Sequence, residues 1–391
     1  MHENAAQPTG VEAVDLRAKL EQYLGQHAIL TVRLTRARLR DDSDLAQTAD
    51  AALTKNTQDI GALIESAYGA QAADQFEDVW FEHVTYLFDY ARGVADEDAE
   101  VQAQARTELD AYVGELSDFL ATATNNGVPA AVANHELQTH VDQLLEQTDA
   151  YAREDYERAY ALERESYAHM FPLGKALAAG IVTGSGGQLP EDFDSPARQM
   201  QSQFGMALGE HAELAVDAMR SGLSGAPDFP AAAAALDANT REITAVIESI
   251  FGAEGATAFQ ALWADHIDAF VSYTQAVASG NEAQETEAHA QLQQFNANLA
   301  AFLATAVQDR LGAPALSDAF VAHEDFLLRQ INAYAQRDYS TAHQLSFEAY
   351  QHMFALAAQL ATAIGDTVAA QSPQGGIQTG EGGMAATDAE E

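Results

Sequence analysis

At 391 residues and 47% apolar content, the chain has length for two or three domains, each able to bury a core. Its net charge of −40 repels phosphate backbones and argues against nucleic acid as a partner. With no cysteine, disulfides and thiolate metal sites are excluded, so a metal would be held by His, carboxylate, amide or thioether groups.

Lysine is scarce (Lys19, Lys55 and Lys175) against 59 acidic residues. That balance points to a halophilic, high-salt setting in which screening relieves self-repulsion. No apolar run approaches the roughly 18 residues of a membrane span. Met1-His2-Glu3-Asn4 has neither the basic region nor the apolar core of a signal peptide, so a signal sequence is not expected in this chain.

Residues 1–10 read as a disordered leader, after which a helical period sets in. The first helix, 11–39, carries Leu20, Leu24, His27, Thr31 and Leu34 on one stripe. Asp41-Asp42-Ser43-Asp44 ends it and can cap the next. That second helix, 45–68, presents Leu53, Asn56, Ile60, Leu63 and Ile64, and Gly69 stops it. The third, 70–95, carries Phe76, Trp80, His83, Val84 and Leu87. The fourth, 99–124, carries Leu109, Val113, Leu116 and Leu120, and Asn125-Asn126-Gly127 breaks it. A fifth starts near Pro129 with Leu137, His140, Val141 and Leu144. The sixth, 155–181, shows Leu162, Ser166, His169, Met170 and Leu173. Thr183-Gly184-Ser185-Gly186-Gly187 opens a Gly-, Ser- and Pro-rich linker, 183–195, and Ser195-Pro196 reads as a new helix cap.

The pattern then repeats. Trp80-Phe81-Glu82-His83 returns as Trp263-Ala264-Asp265-His266, and Tyr167-Ala168-His169-Met170-Phe171 as Tyr350-Gln351-His352-Met353-Phe354, both at a spacing of 183. The first helix repeats at 184, so the loop after it differs by one residue. No strand pattern persists. The expected fold is all-α: a tandem duplication of an antiparallel up-down bundle of about six helices, in 11–182 and 196–366, with a disordered acidic tail over 367–391.

Of twelve histidines, eight form matched pairs: His27 with His211, His83 with His266, His140 with His323, and His169 with His352. Each lies within an apolar stripe, as do Asn56 and Asn239. Buried polar groups are costly unless partnered, so each bundle needs something to satisfy four imidazoles and an amide. Three readings follow. One is a transition metal ion (copper, zinc or iron) in each bundle, held by His27, His83, His140, His169 and Asn56, and by His211, His266, His323, His352 and Asn239. Another is non-covalent haem b between paired histidines. The third is a self-satisfied polar layer, which in a lone histidine is the commoner explanation. No matched Glu-x-x-His pair supports a di-iron site. No phosphate loop, nucleophile elbow or catalytic triad is legible, so no enzyme activity is assigned.

Leu262-Trp263-Ala264-Asp265-His266-Ile267, Asn332-Ala333-Tyr334-Ala335-Gln336-Arg337-Asp338-Tyr339 and Ala349-Tyr350-Gln351-His352-Met353-Phe354 carry a resemblance. They are similar to a helical module of secreted and cell-surface bacterial proteins labelled "copper amine oxidase N-terminal domain-containing", a name belonging to a neighbouring domain. The resemblance covers nearly all of both copies, and its motif histidines correspond to His83, His140, His169 and their partners. Phe81 and Arg164 depart from the pattern. It implies an extracytoplasmic location and a surface partner, with copper suggested only through the borrowed name. The resulting expectation is a secreted or surface-attached, non-catalytic metal-binding protein, with a structural or interaction repeat as the alternative.

Overall fold

The computed structural model describes residues 13–371, with side chains through Thr367. Every regular element among them is an α-helix. The first half runs α1 (Ala13–Leu39), α2 (Ser43–Tyr68), α3 (Ala70–Ala95), α4 (Ala99–Ala123), α5 (Ala130–Ala152) and α6 (Tyr156–Gly184). The second runs α7 (Pro196–Ser224), α8 (Phe229–Ser279), α9 (Glu282–Ala306), α10 (Ala313–Ala335) and α11 (Tyr339–Gln371). None is long and apolar enough to cross a membrane.

Local chemistry sets the helix ends. The Asp42 carboxylate accepts from Leu45 N–H at 3.0 Å, and Asp98 accepts from Glu100 and Val101. Asp155 and Ser195 do the same for α6 and α7, satisfying donors that a first turn leaves open. Gly69 separates α2 from α3 at φ 85° and ψ 167°, and Gly252 adopts nearly the same angles, φ 74° and ψ 177°, inside α8. The long α8 is thus two helices bent at a glycine, in the left-handed half of conformational space that a side chain disfavours.

Two expectations about boundaries change. The helix preceding the linker persists to Gly184, because Val182 packs on the core of the first half and the Thr183 hydroxyl donates back to the Ala179 carbonyl. The last helix persists to Gln371, beyond the expected boundary at 366. There Thr367 donates to the Ala363 and Val307 carbonyls, tying that turn to the end of α9. The leader and the remainder of the tail lie outside the described residues.

The first helix of each half is more than an amphipathic stripe. All residues from Leu24 to Ala37 in α1, and from Ala207 to Ser221 in α7, are buried. Each is a central helix, covered on one side by its own half and on the other by the opposite half. The contact between halves is reciprocal: Tyr167 donates to the Met206 carbonyl at 3.1 Å, and Tyr350 donates to the Gln22 carbonyl at 2.9 Å. The approach needs glycine. A Cβ at Gly25 would stand 2.8 Å from the Tyr350 hydroxyl, and one at Gly209 would stand 2.8 Å from the Tyr167 hydroxyl. A separate apolar core fills each half, around Leu24, Phe76, Trp80, Leu109 and Leu144 in the first and Leu208, Phe259, Trp263, Leu299 and Leu356 in the second.

Candidate functional site

Three of the four matched histidines in each half meet beside its central helix. In the first half the ring of His27 (α1) stands 5.1 Å from His83 (α3) and 5.9 Å from His140 (α5), centroid to centroid. In the second, His211 (α7) stands 5.5 Å from His266 (α8) and 6.2 Å from His323 (α10). All six are almost fully buried. Trp80 and Trp263 pack on His27 and His211 at 4.8 Å, and Tyr112 and Phe295 stack on His83 and His266.

The hydrogen bonds of these rings fix where their lone pairs lie. His83 Nδ1 donates to the Trp80 carbonyl one turn back, and His266 Nδ1 to that of Trp263. A neutral imidazole that donates through Nδ1 presents a lone pair at Nε2. In the first half that Nε2 faces His27 Nε2 at 3.1 Å. Either His27 donates a proton across this gap, or a cation shared by both nitrogens occupies it. Two imidazoles on one tetrahedral ion, with nitrogen–metal bonds of 2.0–2.1 Å, would place their nitrogens about 3.3 Å apart, so the spacing suits both states. His140 Nδ1 meets the Ser166 hydroxyl at 3.2 Å, and its Nε2 has no partner. His323 has none at either nitrogen. The indole N–H groups of Trp80 and Trp263 are also buried without an acceptor.

Burial keeps these rings neutral. His83 is pulled down to about 4, although its bond to the Trp80 carbonyl favours the proton. His140 falls to about 3, through burial and then the neighbouring His83 and His169. Burial likewise takes His266 to about 3. His27, His211 and His323 lie well below the ordinary imidazole value, first through burial and then through repulsion from neighbouring histidines. Neutral imidazoles with free lone pairs are the protonation state that a metal requires.

The other predicted residues stand apart. His169 and His352 turn toward the neighbouring helix, where their Nε2 atoms donate to the carbonyls of Glu136 (3.0 Å) and Ala319 (2.8 Å). They close the layer from outside and offer it no lone pair through that nitrogen. Asn56 donates to the Tyr23 carbonyl at 3.0 Å and to Gln26, and Asn239 to the Ala207 carbonyl at 2.9 Å and to Glu210. The amides therefore anchor α2 and α8 to the central helices.

Sequence reasoning passed over Glu324, which takes the place of Val141. It is buried beside His323, accepts from Asn296, and is pushed up to about 7 by burial. A polar residue beside a stripe histidine in only one copy was the available signal.

Small apolar spaces adjoin both layers. One of about 50 Å³ touches His211, His266, His323 and Glu324; one of about 40 Å³ touches Trp80, His83, Tyr112 and His140. Pockets for cofactor-sized molecules run roughly 300–1,000 Å³, so haem would have to displace core side chains. Among the described residues, no group of three or more His, Asp or Glu side chains is drawn together tightly enough to hold an ion as it stands. The first half has two nitrogens at ligand spacing and a third imidazole one ring-width away. No family model matches the chain, and no curated protein sequence or solved structure matches it.

Proposed function

We propose that this is a non-catalytic protein that holds one transition metal ion in each half, through His27, His83 and His140 and through His211, His266 and His323. The observation carrying the reading is the pair of Nε2 atoms of His27 and His83 at 3.1 Å, with the His83 lone pair aimed into the gap by the Trp80 carbonyl. Backbone carbonyls hold metal-binding histidines in this way, fixing ring orientation and tautomer. Ion binding would draw the His140 ring inward by a side-chain rotation and supply the partner that its Nε2 lacks. Three imidazoles suit copper, zinc or iron, and leave a fourth position for water or a small ligand. In the second half Glu324 could fill that position. Sequestration or delivery fits a site without an acid–base pair, and the extracytoplasmic setting rests on the sequence resemblance alone.

Elemental analysis after loading with copper, zinc or iron and extensive dialysis tests the reading. Two ions per chain should be retained, one in each of His83→Phe and His266→Phe, and none in the double variant. Retention no greater than that of the double variant sinks it. The competing reading is a structural layer in which His27 simply donates to His83. It leaves the Nε2 of His140 and both nitrogens of His323 unsatisfied, and it requires a melting temperature indifferent to chelator and metal.

A further inference from the structure

Where the central helices cross, the contact between halves is ionic. Arg33 pairs across the halves with Glu213 at 2.6 Å and Asp217 at 2.7 Å, and Arg40 with Asp228, while Arg36 pairs with Glu163 of its own half at 2.8 Å and stands 3.9 Å from Asp217. Among the described residues the fourth guanidinium, Arg220, has no carboxylate at ion-pair distance. Its Nε donates to Gln330 at 3.1 Å and its Nη2 to the Ala342 carbonyl at 3.0 Å. One sequence difference accounts for this. Arg220 occupies the position of Arg36, at a spacing of 184, but the position of Glu163 is Ser346 in the second half, at a spacing of 183. Ser346 instead bonds Glu213 and Arg33. The ring under Arg36, Tyr160 at 4.0 Å, is likewise replaced, by His343, which is buried with neither nitrogen partnered.

A cavity of about 40 Å³ lies at this place. Arg33, Arg36, Arg40, Arg220 and His343 line it, and Asp217 is the one carboxylate on its wall. We propose that this cavity binds a small monovalent anion of the size of chloride, held by Arg220, Arg36 and His343 in the place of the carboxylate absent at Ser346. Asp217 and Glu213 act on Arg220 only from beyond ion-pair distance, a guanidinium buried without a paired carboxylate is costly, and an anion offsets that cost. Burial and the neighbouring Arg33 pull Arg220 down to about 10, a measure of that cost. The volume exceeds the roughly 30 Å³ that a water molecule occupies in the liquid but excludes an organic cofactor. In a chain of net charge −40, a positive wall of this kind has to be built locally, from arginines in and just after α1 and from one in α7.

The test follows the melting temperature of the full chain in sodium chloride and in sodium gluconate at matched ionic strength. Chloride should stabilise beyond gluconate, with the folding constant rising about tenfold per decade of chloride above the dissociation constant. Arg220→Gln should lose that difference, and so should Ser346→Glu, which restores the missing carboxylate. Crystals grown in bromide give a readout that needs neither variant: an anomalous peak between Arg220 and Arg36. Equal melting in chloride and gluconate, a full chloride response in Ser346→Glu, or no bromide in the cavity would each overturn the proposal.

Discussion

In the first half His140 has the Ser166 hydroxyl as partner, and Tyr112 stacks on His83. In the second half Ala349 and Phe295 stand at those positions, His323 has no partner, and a buried carboxylate, Glu324, takes the place of Val141. One half therefore carries a layer whose third imidazole has a neutral partner at Nδ1, and the other a layer whose third imidazole has no partner and lies beside an acid. The difference shows which parts of a histidine layer the helical frame dictates. The Nδ1 bonds of His83 and His266 to carbonyls one turn back come with the helix, while the third imidazole depends on one facing side chain.

Acid should erase both layers, and this is the largest expected effect. Six imidazoles are held neutral in the folded protein and protonate near 6.5 when it unfolds. The unfolded chain therefore binds more protons below that value, and stability falls as pH falls, by about 1.4 kcal/mol per unit for each ring. Glu163 and Glu324, raised to about 7, act in the opposite sense but are fewer. Metal-free protein should unfold cooperatively at about pH 5–6, followed by far-ultraviolet circular dichroism. A fold intact at pH 4 would contradict neutral burial.

Removing the third imidazole should separate the halves. His140→Leu strips Ser166 of its partner and should lower the stability of metal-free protein by about 1 kcal/mol in urea titration. His323→Leu removes two unsatisfied nitrogens and should raise it by a similar amount. Equal effects would remove the distinction drawn between the layers.

Glu324 offers a smaller, pH-dependent contrast. A carboxyl with a raised value stabilises less as pH rises from 4.5 toward 7, because only the folded form holds the proton there. Glu324→Val should therefore stabilise metal-free protein by about 1 kcal/mol at pH 8, after allowance for screening, and by less at pH 6. Ala349→Ser, which copies Ser166, is the mildest change. It should add about 0.5–1 kcal/mol and raise metal retention in the second half alone.

Much of the fold is legible in the sequence because the apolar period runs through nearly every helix. The third helix was expected at 70–95 and is Ala70–Ala95, and Gly69 marks a real break that Gly252 reproduces. Periodicity locates a residue on a face but not the end of its ring. His169 and His352 share the stripe of the other histidines, yet their Nε2 atoms reach across to Glu136 and Ala319. Asn56 and Asn239 are fully buried as expected, but their donors go to backbone of the central helices. The ionic waist was not legible at all. Arg33 and Asp217 lie 184 residues apart, and nothing local in either helix announces the pairing.

The central claim is that nitrogens of three buried imidazoles share an ion in each half. Zinc-edge X-ray absorption of zinc-loaded, dialysed protein addresses it most directly. The account predicts about three imidazole nitrogens per zinc at 2.0–2.1 Å with outer-shell ring scattering, and in His83→Phe half the zinc with the same imidazole shell, because the second half keeps its three rings. A shell of oxygens alone, or undiminished zinc content in His83→Phe, would contradict it.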